Sequence, residues 1–121
     1  MDRNELDGKI AREIMGWVLD DDGYWKEGHF TVYIAAGTPA DWDCDFEMWS
    51  PTTDWAHFGL VLEKAIARNP YLSLCLENGL DGKAYLGIFT TGSGYKQVTV
   101  EQWGDGPLEA ACLAILEAWN A

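Results

Sequence analysis

The fold is decided by the stretch Tyr71-Leu-Ser-Leu-Cys-Leu-Glu77, Ala84-Tyr-Leu-Gly-Ile-Phe-Thr90 and Tyr95-Lys-Gln-Val-Thr-Val-Glu-Gln102. Leu72, Leu74 and Leu76 alternate with Ser73, Cys75 and Glu77. That period of two marks a half-buried strand. Turn residues fill Asn78 to Lys83 and Thr91-Gly92-Ser93-Gly94, so three strands follow one another as an antiparallel meander. After Gly104-Asp105-Gly106, Pro107 stands at a natural first helical position. Leu108, Ala111, Cys112, Ile115 and Trp119 form the apolar stripe of a closing helix.

Working back towards the start, Pro70 ends a helix that opens at Ser50-Pro51-Thr52-Thr53-Asp54. Its stripe is Trp55, Phe58, Leu62, Ala65 and Ile66. Before it, Asp41-Trp-Asp-Cys-Asp-Phe-Glu-Met48 alternates acidic and apolar residues, the pattern of a strand with one wet face. Residues 29–35 are β-branched and aromatic and predict another strand. Residues 4–18 predict an amphipathic helix on Leu6, Ile10, Ile14 and Trp17 or Val18, capped by Asn4 and closed near Gly16. Asp20-Asp21-Asp22-Gly23 then forms a loop. The expected architecture is α+β, one domain over residues 1–121. It is an α-β-α sandwich with a mainly antiparallel sheet covered by three helices.

Composition narrows the function. The 121 residues carry 8 Lys and Arg against 20 Asp and Glu, a net charge of −12, with 48% hydrophobic residues and seven Trp. The chain is too apolar for disorder and too acidic to bind nucleic-acid backbones. It has no apolar run long enough for a membrane span and no signal-peptide pattern at its start. Cys44, Cys75 and Cys112 form no CxxC pair and read as buried, reduced thiols. No cofactor or metal is expected. The row Asp41, Asp43, Asp45 and Glu47 lacks the spacing of a calcium loop and reads as a solvated strand face. Thr91-Gly92-Ser93-Gly94-Tyr95-Lys96 offers a phosphate cradle or a plain hairpin turn. Asp54 and His57, one turn apart, offer an acid–base pair, although capping explains Asp54 more simply. Trp17, Trp55 and Trp119 sit on helix stripes and belong to the core. Trp25, Trp42, Trp49 and Trp103 are left for an interface or for stacking on a flat ligand.

Three segments resemble the phage ABA-sandwich domain family. Residues 5–17, Glu-Leu-Asp-Gly-Lys-Ile-Ala-Arg-Glu-Ile-Met-Gly-Trp, resemble its opening helix. Trp49-Ser-Pro-Thr-Thr-Asp-Trp-Ala56 with Val61-Leu-Glu-Lys64 is similar to its second helix entrance and body. Pro107-Leu-Glu-Ala-Ala-Cys-Leu-Ala-Ile-Leu-Glu-Ala118 is similar to its closing helix. The chain departs from the family between residues 23 and 48. The resemblance implies a phage-encoded α-β-α sandwich acting in the cytoplasm of an infected bacterium, and it implies no established activity.

Three functions compete. The first is a non-catalytic counter-defence protein that sequesters a nucleotide-derived immune signal, as a dimer or higher homo-oligomer. Its ligand-binding candidates are Arg12, Trp42, Trp49, Thr52, Thr53, Ser93, Gly94, Tyr95 and Lys96. Arg12, Arg68, Lys83 and Lys96 are the cations available to a ligand. The second is an acidic protein–protein module that inhibits a host protein by nucleic-acid mimicry. The third is an enzyme acting on a nucleotide through Asp54 and His57. The first is the reading carried forward. It expects a small nucleotide-like ligand, no nucleic acid and no membrane.

Overall fold

A computed structural model describes residues 1–36, 47–79, 81–93 and 96–121, without the side chains of Tyr33, Ser93 and Lys96. Helix α1 spans Arg3–Glu13. Asp2, not Asn4, caps it: the Asp2 carboxylate accepts the Glu5 N–H at 2.8 Å. The helix stops where Gly16 takes a φ of +72° and the Trp17 N–H returns to the Ala11 carbonyl at 2.9 Å. Trp17 and Val18 therefore lie beyond the helix rather than on its stripe.

The chain then forms β1 (Val18–Leu19), β2 (Tyr24–Glu27) and β3 (Phe30–Ala35). Asp20 closes the β1–β2 turn, its carboxylate accepting the Asp22 and Tyr24 N–H groups at 2.9 and 2.8 Å. Those bonds, the one from Tyr24 foremost, hold the Asp20 carboxyl below its ordinary range. The short β4 (Glu47–Met48) pairs parallel to β3, so the first sheet runs β1-β2-β3-β4. The rest of the acidic strand predicted over 41–48, including Trp42, lies outside the described residues.

Helix α2 (Trp55–Arg68) starts at Asp54, whose carboxylate accepts the Ala56 and His57 N–H groups at 2.8 and 3.1 Å. The meander is present as predicted. Strands β5 (Ser73–Asn78), β6 (Tyr85–Ser93) and β7 (Lys96–Gly104) form a second, antiparallel sheet. Leu74, Phe89 and Val100 lie in register across it. Helix α3 (Pro107–Trp119) packs on all three of these strands and touches α1 and α2. Glycine makes that approach possible. A Cβ on Gly87 would sit 2.5 Å from the Ala110 carbonyl oxygen, and one on Gly104 would sit 2.7 Å from the Ala110 nitrogen.

The class is α+β, with three helices and two mostly antiparallel sheets among the described residues. The single sheet of the sequence reading is thus divided. One buried cluster joins Leu6, Ile10, Trp17, Trp25, Phe58, Phe89, Cys112 and Ile115. The tryptophans are placed differently from expectation. Trp25 and Trp49 are 2% and 4% exposed, whereas Trp55 of the α2 stripe is 63% exposed. Ile66 is also exposed. The stripe of α2 that enters the core is Phe58, Val61 and Ala65. Cys112 is buried, its thiol directed at the Pro51 carbonyl at 3.6 Å, and burial pushes its pKa far up. Cys75 is exposed, contrary to expectation. Among the described residues no helix is long and apolar enough to cross a membrane.

Candidate functional site

The chemistry gathers where α1 meets β2 and the entrance of α2. Asp7 lies on the buried face of α1, because Asp7, Ile10, Ala11 and Ile14 are spaced i, i+3, i+4, i+7. It is 5% exposed. Its carboxylate accepts the Thr52 N–H at 3.1 Å on one oxygen and the Thr52 hydroxyl at 3.2 Å on the other. Its backbone carbonyl accepts the Trp49 indole N–H at 2.8 Å. Burial raises the Asp7 pKa to about 6, while the two Thr52 bonds and the nearby His57 and Arg3 pull the other way.

Behind Asp7 the network continues through an aromatic stack. Trp49 meets Trp17 edge-on at 4.7 Å and stacks on His57 at 5.2 Å. His57 Nδ1 accepts the Ser50 N–H at 3.0 Å, so the neutral ring carries its proton on Nε2. That nitrogen lies 2.8 Å from the Glu47 carboxylate and donates to it. The ligand atoms of Glu47, Asp54 and His57 fall within 4.8 Å of one another. They do not make a cation site: one ring nitrogen has spent its lone pair on Ser50, the other bears a proton, and Asp54 caps α2. The same commitments bind the acid–base pair weighed from sequence. His57 is buried with both nitrogens engaged and serves the α2 entrance.

In front of Asp7 lies a cavity of about 180 Å³ lined by Asn4, Asp7, Gly8, Arg12, Trp25 and Trp49, among others. The Arg12 guanidinium lies 5.3 Å from the centre of the Trp25 ring. Gly8 makes room for it, since a Cβ there would come within 3.0 Å of Arg12 Nη1. A glycine inside a helix costs about 0.5–1 kcal/mol relative to alanine. The cavity therefore combines an acceptor-only carboxylate, a donor-only guanidinium and flat indole walls.

A second cavity, of about 340 Å³, lies between the C-terminal ends of α2 and α3 and the β6–β7 turn. Arg68, Tyr71, Thr91 and Gly92 line it, and Arg68 rests 4.1 Å from the Trp119 ring centre. It is the roomier of the two but electrostatically poor for an anion. Two helix C-termini each bring roughly half a negative charge there, which together offset the one guanidinium. The phosphate cradle read from Thr91 onward gains nothing from this setting.

The sequence candidates divide accordingly. Arg12 and Trp49 line the smaller cavity. Thr52 is buried against Asp7, and Thr53 is exposed with its hydroxyl bonded to that of Ser50. Ser93 and Lys96 pair at the end of the β6–β7 hairpin, away from that group in the chain. Trp42, Gly94 and Tyr95 lie outside the described residues. Sequence reasoning passed over Asp7, Gly8 and Trp25. A charged residue at a core position of an amphipathic helix was the available signal for Asp7.

The raised pKa of Asp7 has a stability consequence. A carboxyl with a folded pKa above its ordinary 3.8 stabilises the fold fully only below about pH 3.8, and that contribution is lost as pH rises through about 6. The loss amounts to about 3 kcal/mol at most. Asp7→Asn removes the buried charge and keeps both Thr52 contacts, with the hydroxyl reversed to accept. Its stability between pH 4 and 7, measured by urea unfolding, is expected to lack this fall and to equal or exceed wild type at pH 7. A wild-type-like fall in the variant contradicts the assignment.

Compared with protein-family models, with curated proteins and with solved structures, the chain matches none.

Proposed function

We propose that the protein is a non-catalytic binder of a nucleotide-like small molecule whose base enters the cavity between α1 and β2. The observation that carries this is the meeting of Arg12, Asp7, Trp25 and Trp49 around one space of about 180 Å³. Sites for whole drug-sized ligands run to about 300–1,000 Å³, so the cavity suits a planar fragment with the remainder outside. Phosphates left in solvent are screened from the net charge of −12 better than phosphates drawn inside.

The family resemblance extends the proposal. On that basis the chain is a phage product with an α-β-α sandwich arrangement. It acts as a homo-oligomer in the infected bacterium by holding a nucleotide-derived immune signal away from its receptor.

Native mass spectrometry of protein purified from cells making such signals tests the reading. A retained mass in the nucleotide range, released intact, is expected. Arg12→Gln, which removes a charge-assisted contact at an exposed position, is expected to weaken binding about tenfold or more. A nucleotide that binds with the same affinity to wild type and Arg12→Gln sinks the placement in this cavity.

A further inference from the structure

We infer that the cavity selects guanine among the bases, with Asp7 reading its donor edge and Arg12 its acceptor edge. This rests on the binding reading above and sharpens it to a ligand class. The argument is one of complementary edges. An ionised carboxylate offers acceptors alone, and each Asp7 oxygen spends one acceptor position on Thr52 and keeps another. Guanine presents two adjacent donors, N1–H and the 2-amino group, which match two carboxylate oxygens. Its neighbouring edge presents O6 and N7, both acceptors, the pair a guanidinium fork grips in two parallel bonds. Asp7 and Arg12 stand five positions apart on α1, about 7.5 Å along the axis at 1.5 Å per residue, which is the scale of a purine.

Adenine fails both halves of this test. Its N1 is an acceptor and would face the carboxylate lone pairs. Its 6-amino group would face the guanidinium, donor against donor. Pyrimidines are too narrow to engage both residues. The Trp25 ring beneath Arg12 and the Trp49 ring beside Asp7 supply apolar walls for any base, so the discrimination falls on the two charged side chains. Gly8 adds a steric condition, because a methyl group there presses on the Arg12 fork at 3.0 Å.

The experiment is calorimetric titration of the full chain with GMP, IMP and AMP, each variant first checked for folding by circular dichroism. GMP is expected to bind at least about tenfold more tightly than AMP, since a buried polar group left unpaired by the wrong base is costly. IMP, lacking the 2-amino group, is expected to fall between them. Asp7→Asn is expected to bring GMP and AMP to within about threefold of each other, because it exchanges one acceptor for a donor. Gly8→Ala, which favours the helix, is expected to weaken GMP while leaving the protein folded. GMP and AMP binding equally, with both weakened by Arg12→Gln, overturns guanine selection and leaves the binding reading standing. A guanine preference that survives Asp7→Asn overturns the role given to Asp7. No binding of any of the three nucleotides to folded wild type overturns guanine selection. Retention of a different nucleotide-like mass by the protein would keep the broader reading. If Asp7→Asn does not fold, the wild-type ratio and its collapse in Arg12→Gln still decide.

Discussion

Replacing Trp49 by Ala is expected to cost about 3–5 kcal/mol of folding stability, a large part of the roughly 5–15 kcal/mol that holds a domain together. The indole is 4% exposed, packs between Trp17 and His57, and donates to the Asp7 carbonyl at 2.8 Å. Truncation removes the largest wall of the aromatic stack and leaves that carbonyl without its donor. The His57 ring loses its stacking partner as well, which loosens the link from β4 to the α2 entrance. Urea unfolding followed by far-ultraviolet circular dichroism measures the loss. Trp49→Phe keeps a ring and loses the N–H, and about 1 kcal/mol is expected from the hydrogen bond alone. A Trp49→Ala protein of wild-type stability contradicts the structural role. It would restore the sequence reading of Trp49 as a free stacking platform.

Gly87→Ala comes next in size, at about 3 kcal/mol. The new Cβ meets backbone and nothing flexible: the Ala110 oxygen at 2.5 Å, its carbonyl carbon at 2.7 Å and the Ala111 nitrogen at 3.0 Å. Either α3 lifts away from β6 or the strand bends, and both expose the packing around Phe89 and Ile115. Gly59→Ala is the control. It lies in α2 with nothing within 4 Å of a new Cβ, so alanine is expected to stabilise by about 0.5–1 kcal/mol. Thermal and urea unfolding of the two variants, run together, check the contrast. Equal stability in the two variants contradicts the close α3–β6 contact.

The parts of this fold legible in sequence are those with a long, single period. The meander and α3 emerge because Leu72, Leu74 and Leu76 alternate over a full strand, and Pro107 marks a helix start without ambiguity. Strands β1 and β2 are too short for a period to appear. Trp17 and Val18 also continue the helical spacing of α1, until Gly16 turns the chain aside. The division into two sheets has no local signal, because a hairpin reads the same whichever sheet it joins. Trp55 and Ile66 fit a helical stripe as well as Phe58 does, and only tertiary packing chose Phe58, Val61 and Ala65. The site was half legible. Arg12 and Trp49 were named from their chemistry, but Asp7 passed as a polar residue of an ordinary helix. Its meaning depends on Thr52, which is distant in the chain and adjacent only in the fold.

The central claim is that a nucleotide base occupies the cavity between α1 and β2. Amide chemical-shift mapping during titration with GMP tests it most directly, in a chain small enough for complete assignment. The largest shifts are expected at Asp7, Gly8 and Arg12 of α1 and at the Trp25 indole, with saturation. Shifts centred on Arg68, Tyr71, Thr91 and Gly92 at the other cavity, with α1 silent, would contradict it.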